Sequence, residues 1–103
     1  MRLVFSSVFE RDFAEIVRHL AKEASEQIGA RFEAQTYATI KALLRQPEMG
    51  RLRQDLKPDG IRSFRIRRFE RYLLFYQVSG DDLILLRLRY GGMDLRALSS
   101  SWE

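Results

Sequence analysis

The chain has 103 residues, 46% of them apolar and 12% aromatic, enough for one hydrophobic core and too few for two, so residues 1–103 are expected to form a single domain. The absence of cysteine excludes a disulfide framework and a thiolate metal site, and the apolar start Met1-Arg2-Leu3-Val4-Phe5 is too short for a signal-peptide core or a membrane span, leaving the cytoplasm as the expected location and no membrane as partner. The formal charge of +4 is unevenly placed: residues 1–50 hold seven basic and seven acidic side chains, whereas residues 51–71 hold eight basic against three acidic, so the surplus comes from that stretch.

Residues 2–5 read as a short strand of bulky residues. Ser7 and Glu10 then form an S-x-x-E capping box that opens a helix. Phe9, Phe13, Ile16, Val17, Leu20, Ala21 and Ala24 recur at helical spacing and predict a stripe facing the core, with Glu10, Asp12, Arg18, Lys22 and Glu23 largely off it. A second helix is predicted from near Ser25 to about Gln46, where Pro47 disfavours continuation. Its apolar set is Ile28, Phe32, Ile40, Leu43 and Leu44, with Tyr37 beside it. The short connection predicts an αα-hairpin. Residues 46–60, with Pro47, Gly50, Pro58 and Gly60, read as a basic loop.

From Gly60 the period changes to two, and three strands are expected. In residues 61–68, Phe64 and Ile66 fall on one face and Ser63, Arg65 and Arg67 on the other. Residues 72–78 are apolar on both parities, as in a central strand. Ser79-Gly80-Asp81-Asp82 reads as a hairpin turn. In residues 83–90, Ile84, Leu86, Leu88 and Tyr90 alternate with Leu83, Leu85, Arg87 and Arg89. The expected fold is therefore α+β, in the order β-α-α-β-β-β, with the helix hairpin packed on one face of an antiparallel sheet. The other face would carry Arg65, Arg67, Arg87 and Arg89 around Leu73, Phe75, Leu83 and Leu85, a platform suited to an acidic, partly apolar partner or a nucleic acid. Fifteen of the 18 basic residues are arginine, which suits planar bidentate contacts to phosphate or carboxylate, although GC-rich coding also raises arginine.

The segments Pro47-Glu48-Met49-Gly50-Arg51, Gly60-Ile61-Arg62-Ser63-Phe64-Arg65-Ile66, Arg71-Tyr72-Leu73-Leu74-Phe75-Tyr76-Gln77-Val78 and Leu85-Leu86-Arg87-Leu88-Arg89-Tyr90-Gly91-Gly92-Met93-Asp94-Leu95, in that order, resemble the ParE/RelE toxin superfamily of bacterial type II toxin–antitoxin modules. The long helix hairpin and the G-I-R-S-F and Y-L-L-F-Y segments look more like its ParE branch. The resemblance implies a growth-inhibiting toxin neutralised by a cognate antitoxin in a hetero-oligomer. ParE-like members inhibit DNA gyrase; RelE-like members are ribosome-dependent endoribonucleases that cut mRNA. One fold carries both activities and cannot choose between them.

Cleavage of RNA through its 2′-hydroxyl needs a proton acceptor, a proton donor and cations, and arginine supplies only the last. His19, the sole histidine, reads as a boundary residue of the first helix. Tyr72 and Tyr90 fall on the apolar parity of their strands, where core packing is expected. Many superfamily members carry histidine where Tyr90 stands, which weakens an enzymatic reading and leaves Tyr90 as its alternative catalyst. No metal-ligand spacing, phosphate-binding loop or nucleophile–base pair is present, and no cofactor is expected. The favoured reading is a non-catalytic inhibitor of gyrase, with Arg65, Arg67, Arg87, Arg89 and Trp102 meeting the target; Trp102 reads equally as a closing contact on the core. An acidic antitoxin is expected to meet Leu73, Phe75, Leu83, Leu85 and Arg62.

Overall fold

The structure, a computed structural model, describes residues 1–91. Its elements in chain order are β1 (Arg2–Phe5), α1 (Ser7–Glu23), α2 (Glu26–Arg45), β2 (Arg51–Leu52), β3 (Ile61–Ile66), β4 (Phe69–Ser79) and β5 (Asp82–Tyr90). The sheet order is β1-β5-β4-β3-β2. The meander β2 to β5 is antiparallel throughout, whereas β1 joins β5 in parallel, from Arg2 opposite Asp82 to Phe5 opposite Leu85. The two helices lie on one face, so the expected α+β arrangement is observed with a mixed sheet. No helix among the described residues is long and apolar enough to cross a membrane.

Both helices begin at a serine whose hydroxyl accepts an otherwise orphaned backbone N–H. For α1 the cap is Ser6, one residue before the expected Ser7: its Oγ accepts the Phe9 N–H at 3.0 Å and donates to the Leu86 carbonyl at 3.0 Å, which joins the helix start to the sheet. For α2 the cap is Ser25, on the Ile28 N–H. The helices approach closely at Gly29, where a Cβ would crowd the Val17 carbonyl at 3.1 Å.

The helix-side core gathers Phe9, Phe32, Ile40, Leu43, Ile66, Leu74, Tyr76, Leu83, Leu85 and Leu88. Phe32 is its hub. Its ring meets Phe69 at 5.2 Å and Tyr72 at 5.1 Å in edge-on geometry, an arrangement worth about 0.5–1.5 kcal/mol per pair beyond the area buried.

β3 and β4 follow the expected parity: Ile66, Leu74 and Tyr76 face the helices, Leu73 and Phe75 the other way. β5 does not. Its register against β4 shifts between Phe75 and Tyr76, with Tyr76 opposite Leu85 and Phe75 opposite Arg87, so Leu86 is an extra residue. A bulge of this kind inverts the alternation beyond it. Leu83 and Leu85 therefore join Leu88 on the helix side, while Ile84 and Leu86 turn to the opposite face.

That opposite face is not an open platform. Segment 46–60, expected as a plain loop, contributes the edge strand β2 and then folds Leu56 onto Ile61, Leu73, Phe75 and Leu86 in a second apolar cluster. Leu56 has no exposed surface. Two residues are too few for a period of two to register in sequence, and a single leucine among charges gave no pattern to read.

Candidate functional site

The expected site residues separate into three groups. Leu83 and Leu85 are fully buried in the helix-side core; Leu73 and Phe75 are buried under Leu56. None of these four has surface to offer a partner in this fold. Arg87 and Arg89 form the second group. β1 ends opposite Leu85, so the edge of β5 beyond it is left to α1. There Asp12 accepts the Leu88 N–H at 3.1 Å, pairs with Arg87 Nε at 2.7 Å and lies 3.7 Å from Arg89. Asp12 and Arg87 are both buried. The two guanidinium groups are thus committed to a carboxylate on α1, not presented on an open sheet face.

Asp12 is the carboxylate that decides where these arginines go, and the helical pattern places it largely off the apolar stripe, toward solvent. The signal was weak: Asp12 stands three residues after Phe9 and four before Ile16, at the border of the apolar stripe, where a charge can be either solvated or paired.

The third group stays at the surface. Arg65 is exposed on β3, and its guanidinium donates to the Glu70 carbonyl across the hairpin. Arg67 and Arg68, both exposed, form the two-residue turn between β3 and β4, and the Arg67 N–H donates to Thr39 Oγ1 of α2 at 3.3 Å. Exposed Arg71 follows on β4 and donates to Tyr90 Oη at 3.3 Å. Arg62 lies toward the helix side, where its guanidinium donates to the carbonyls of Gly50 (2.8 Å) and Glu48 (3.2 Å). Tyr76 pins the same segment from beneath, accepting the Gly50 N–H at 2.9 Å and donating to the Pro47 carbonyl at 2.7 Å. Burial raises the Tyr76 pKa, keeping it a donor. Together they shape one wall of a cavity of about 650 Å³ lined by Met1, Met49, Leu52, Gly60, Arg62 and Val78.

Tyr90 is 40% exposed rather than packed in the core. It borders a cleft of about 390 Å³ with Asp12, Glu15, His19, Tyr72 and Arg89, so the fold brings together His19 and Tyr90, which the sequence kept apart. Burial, and then the neighbouring Tyr90, raise the Tyr72 pKa, so Tyr72 is held as a neutral phenol. Among the described residues no group of His, Asp and Glu is placed to hold a metal ion. Trp102 lies outside the described residues.

Comparison with known proteins bears on this arrangement. Residues 3–95 match the family described as the ParE toxin of the type II toxin–antitoxin system parDE. A toxin named ParE3 from Caulobacter vibrioides is 37% identical over 51 residues, a stretch covering 50% of this chain and 47% of that protein, so the chain spans about half the length of this curated relative. A structure from a chromosomal ParDE toxin–antitoxin system of P. aeruginosa superposes with a TM-score of 0.73 at 18% identity, covering 87% of this chain and 95% of that one. The solution structure of a conserved hypothetical protein from Helicobacter pylori does so with a TM-score of 0.52 at 22% identity, covering 89% and 96%. These two likenesses concern the fold. The family match covers most of the sequence, and the chain belongs to the ParE toxin family of type II toxin–antitoxin systems.

Proposed function

We propose that this chain is a growth-inhibiting toxin held in check by a cognate antitoxin, and that it acts by binding DNA gyrase, with no covalent chemistry and no cofactor of its own. The family match over residues 3–95 carries the reading. The geometry supports its non-catalytic form. Gripping a scissile phosphate calls for several arginines whose charge is available; Arg87 already answers to Asp12 and Arg89 lies 3.7 Å from the same carboxylate, which leaves exposed Arg71, donating to Tyr90 Oη at 3.3 Å, as the cation beside Tyr90 without a carboxylate partner among the described residues. Arg65 and Arg67 remain at the surface, open to the gyrase–DNA complex.

Purified protein added to gyrase and relaxed plasmid should lower supercoiling in proportion to its concentration, with cleaved plasmid accumulating. Normal supercoiling at a large excess of toxin would refute the reading. The exposure of Tyr90 in a cleft with His19 and Glu15 favours a second reading, a RelE-like ribosome-dependent mRNA endoribonuclease in which Tyr90 exchanges the proton. Primer extension on translated mRNA separates the two, because intact transcripts during growth arrest remove the nuclease.

A further inference from the structure

The hairpin joining β3 and β4 concentrates charge as no other part of the described surface does. Residues 65–71 read Arg65-Ile66-Arg67-Arg68-Phe69-Glu70-Arg71, four arginines against one carboxylate. All four arginines are exposed, and among the described residues none forms an ion pair with a carboxylate. Their hydrogen bonds go to neutral groups: Arg65 to a carbonyl and Arg71 to a phenol.

The turn is built at a conformational cost. Arg68 has φ 67°, in the left-handed region that two-residue hairpin turns fill with glycine or asparagine. A long side chain kept where glycine would relieve strain points to a use for its guanidinium. The tip is also tied to the helices. Thr39 fixes the Arg67 N–H from α2, and the Phe32–Phe69 ring contact fixes the base of β4.

The composition of the tip selects its partner. A protein interface needs apolar or aromatic anchors at its centre, yet among the described residues the exposed large apolar side chains are Met1, Phe5, Tyr37, Leu52, Val78 and Tyr90, none of them within residues 65–71. A single-stranded nucleic acid calls for a series of aromatic platforms along the charge, whereas among the described residues the one exposed aromatic bonded to these arginines is Tyr90, on Arg71. Guanidinium groups on a narrow two-stranded ribbon suit the phosphate backbone of a duplex, read without base specificity. We infer that the Arg65–Arg71 hairpin docks on the phosphate backbone of double-stranded DNA. The inference rests on the gyrase reading for the source of that DNA, the segment gyrase holds.

The test is fluorescence anisotropy with the full chain and a labelled duplex of about 20 base pairs, from about 50 to about 200 mM salt. Three to four phosphate contacts predict a slope of log K against log salt of about −3 to −4. Arg67→Gln combined with Arg68→Gly should flatten that slope by about two and weaken binding roughly tenfold or more at the lowest salt. Thermal melting guards against misfolding, and the glycine at position 68 relieves the turn. Absence of duplex binding by the parent, unchanged affinity and slope in the double variant, or tighter binding of single-stranded RNA of the same sequence overturns the inference. The duplex assay contains no gyrase, so supercoiling that proceeds normally while duplex binding persists counts against the gyrase reading alone.

Discussion

Asp12 shows how much one side chain decides. Its carboxylate closes the β5 edge by accepting the Leu88 N–H and neutralises Arg87, a residue 75 positions away in sequence. Both partners are buried, so removing one strands the other charge without solvent. Asp12→Ala is expected to cost about 3–5 kcal/mol, measured as a shift of the urea midpoint. A change under about 1 kcal/mol would mean that the pair behaves as an exposed one. Tyr76 acts in the same manner on the loop after α2: a Cβ at Gly50 would collide with its phenol, so glycine and tyrosine require each other there.

At the scale of elements, segment 46–60 carries its own electrostatic latch. Arg53 is buried over the Phe75 ring, 5.8 Å from its centroid, and donates to Ser63 Oγ and to both oxygens of Asp55. The Arg53 hydrogen bond holds the Asp55 pKa at about 2, below the ordinary 3.8. Folding therefore favours the ionised carboxylate. The stabilisation is complete above pH 3.8 and is lost as the pH falls through about 2. Asp55 is nearly half exposed, and solvent screening keeps the contribution below about 1 kcal/mol. Asp55→Asn should be less stable than the parent at neutral pH, the gap closing toward pH 2. Denaturation midpoints followed across that range check this, and a gap that stays constant would show that the latch does not titrate with folding.

Across the whole molecule, the basic surplus and the exposed apolar surface occupy different places. The arginines of the β3–β4 hairpin stand apart from the cavity bordered by Met1, Leu52 and Val78, each at least 39% exposed. The cavity offers apolar surface beside Arg62, and the exposed Arg45 and Arg51 flank its wall along the chain, so an acidic, partly apolar antitoxin segment is expected to enter it if the proposed function holds. Leu52→Asp with Val78→Asp should weaken antitoxin binding by roughly tenfold or more. Co-expression growth assays and calorimetry measure this, and protection undiminished by both aspartates would place the antitoxin elsewhere.

Much of this was legible along the chain. Helix stripes, the start of the second helix near Ser25, the Pro47 stop and the β3 and β4 parities are set by neighbours within a few residues, and local sequence records them. The concentration of charge in residues 51–71 was equally plain. What only the tertiary structure decided is which arginines remain available. One unpaired residue, Leu86, inverts a strand's faces, and the pairing that creates it belongs to β4 as much as to β5. Leu56 and Asp12 reach their partners only when distant segments meet. Periodicity is a property of one segment, whereas register, cover and charge pairing are properties of two, and for that reason the Arg87 guanidinium of β5 was spent inside the fold while those of the β3–β4 turn stayed outside it.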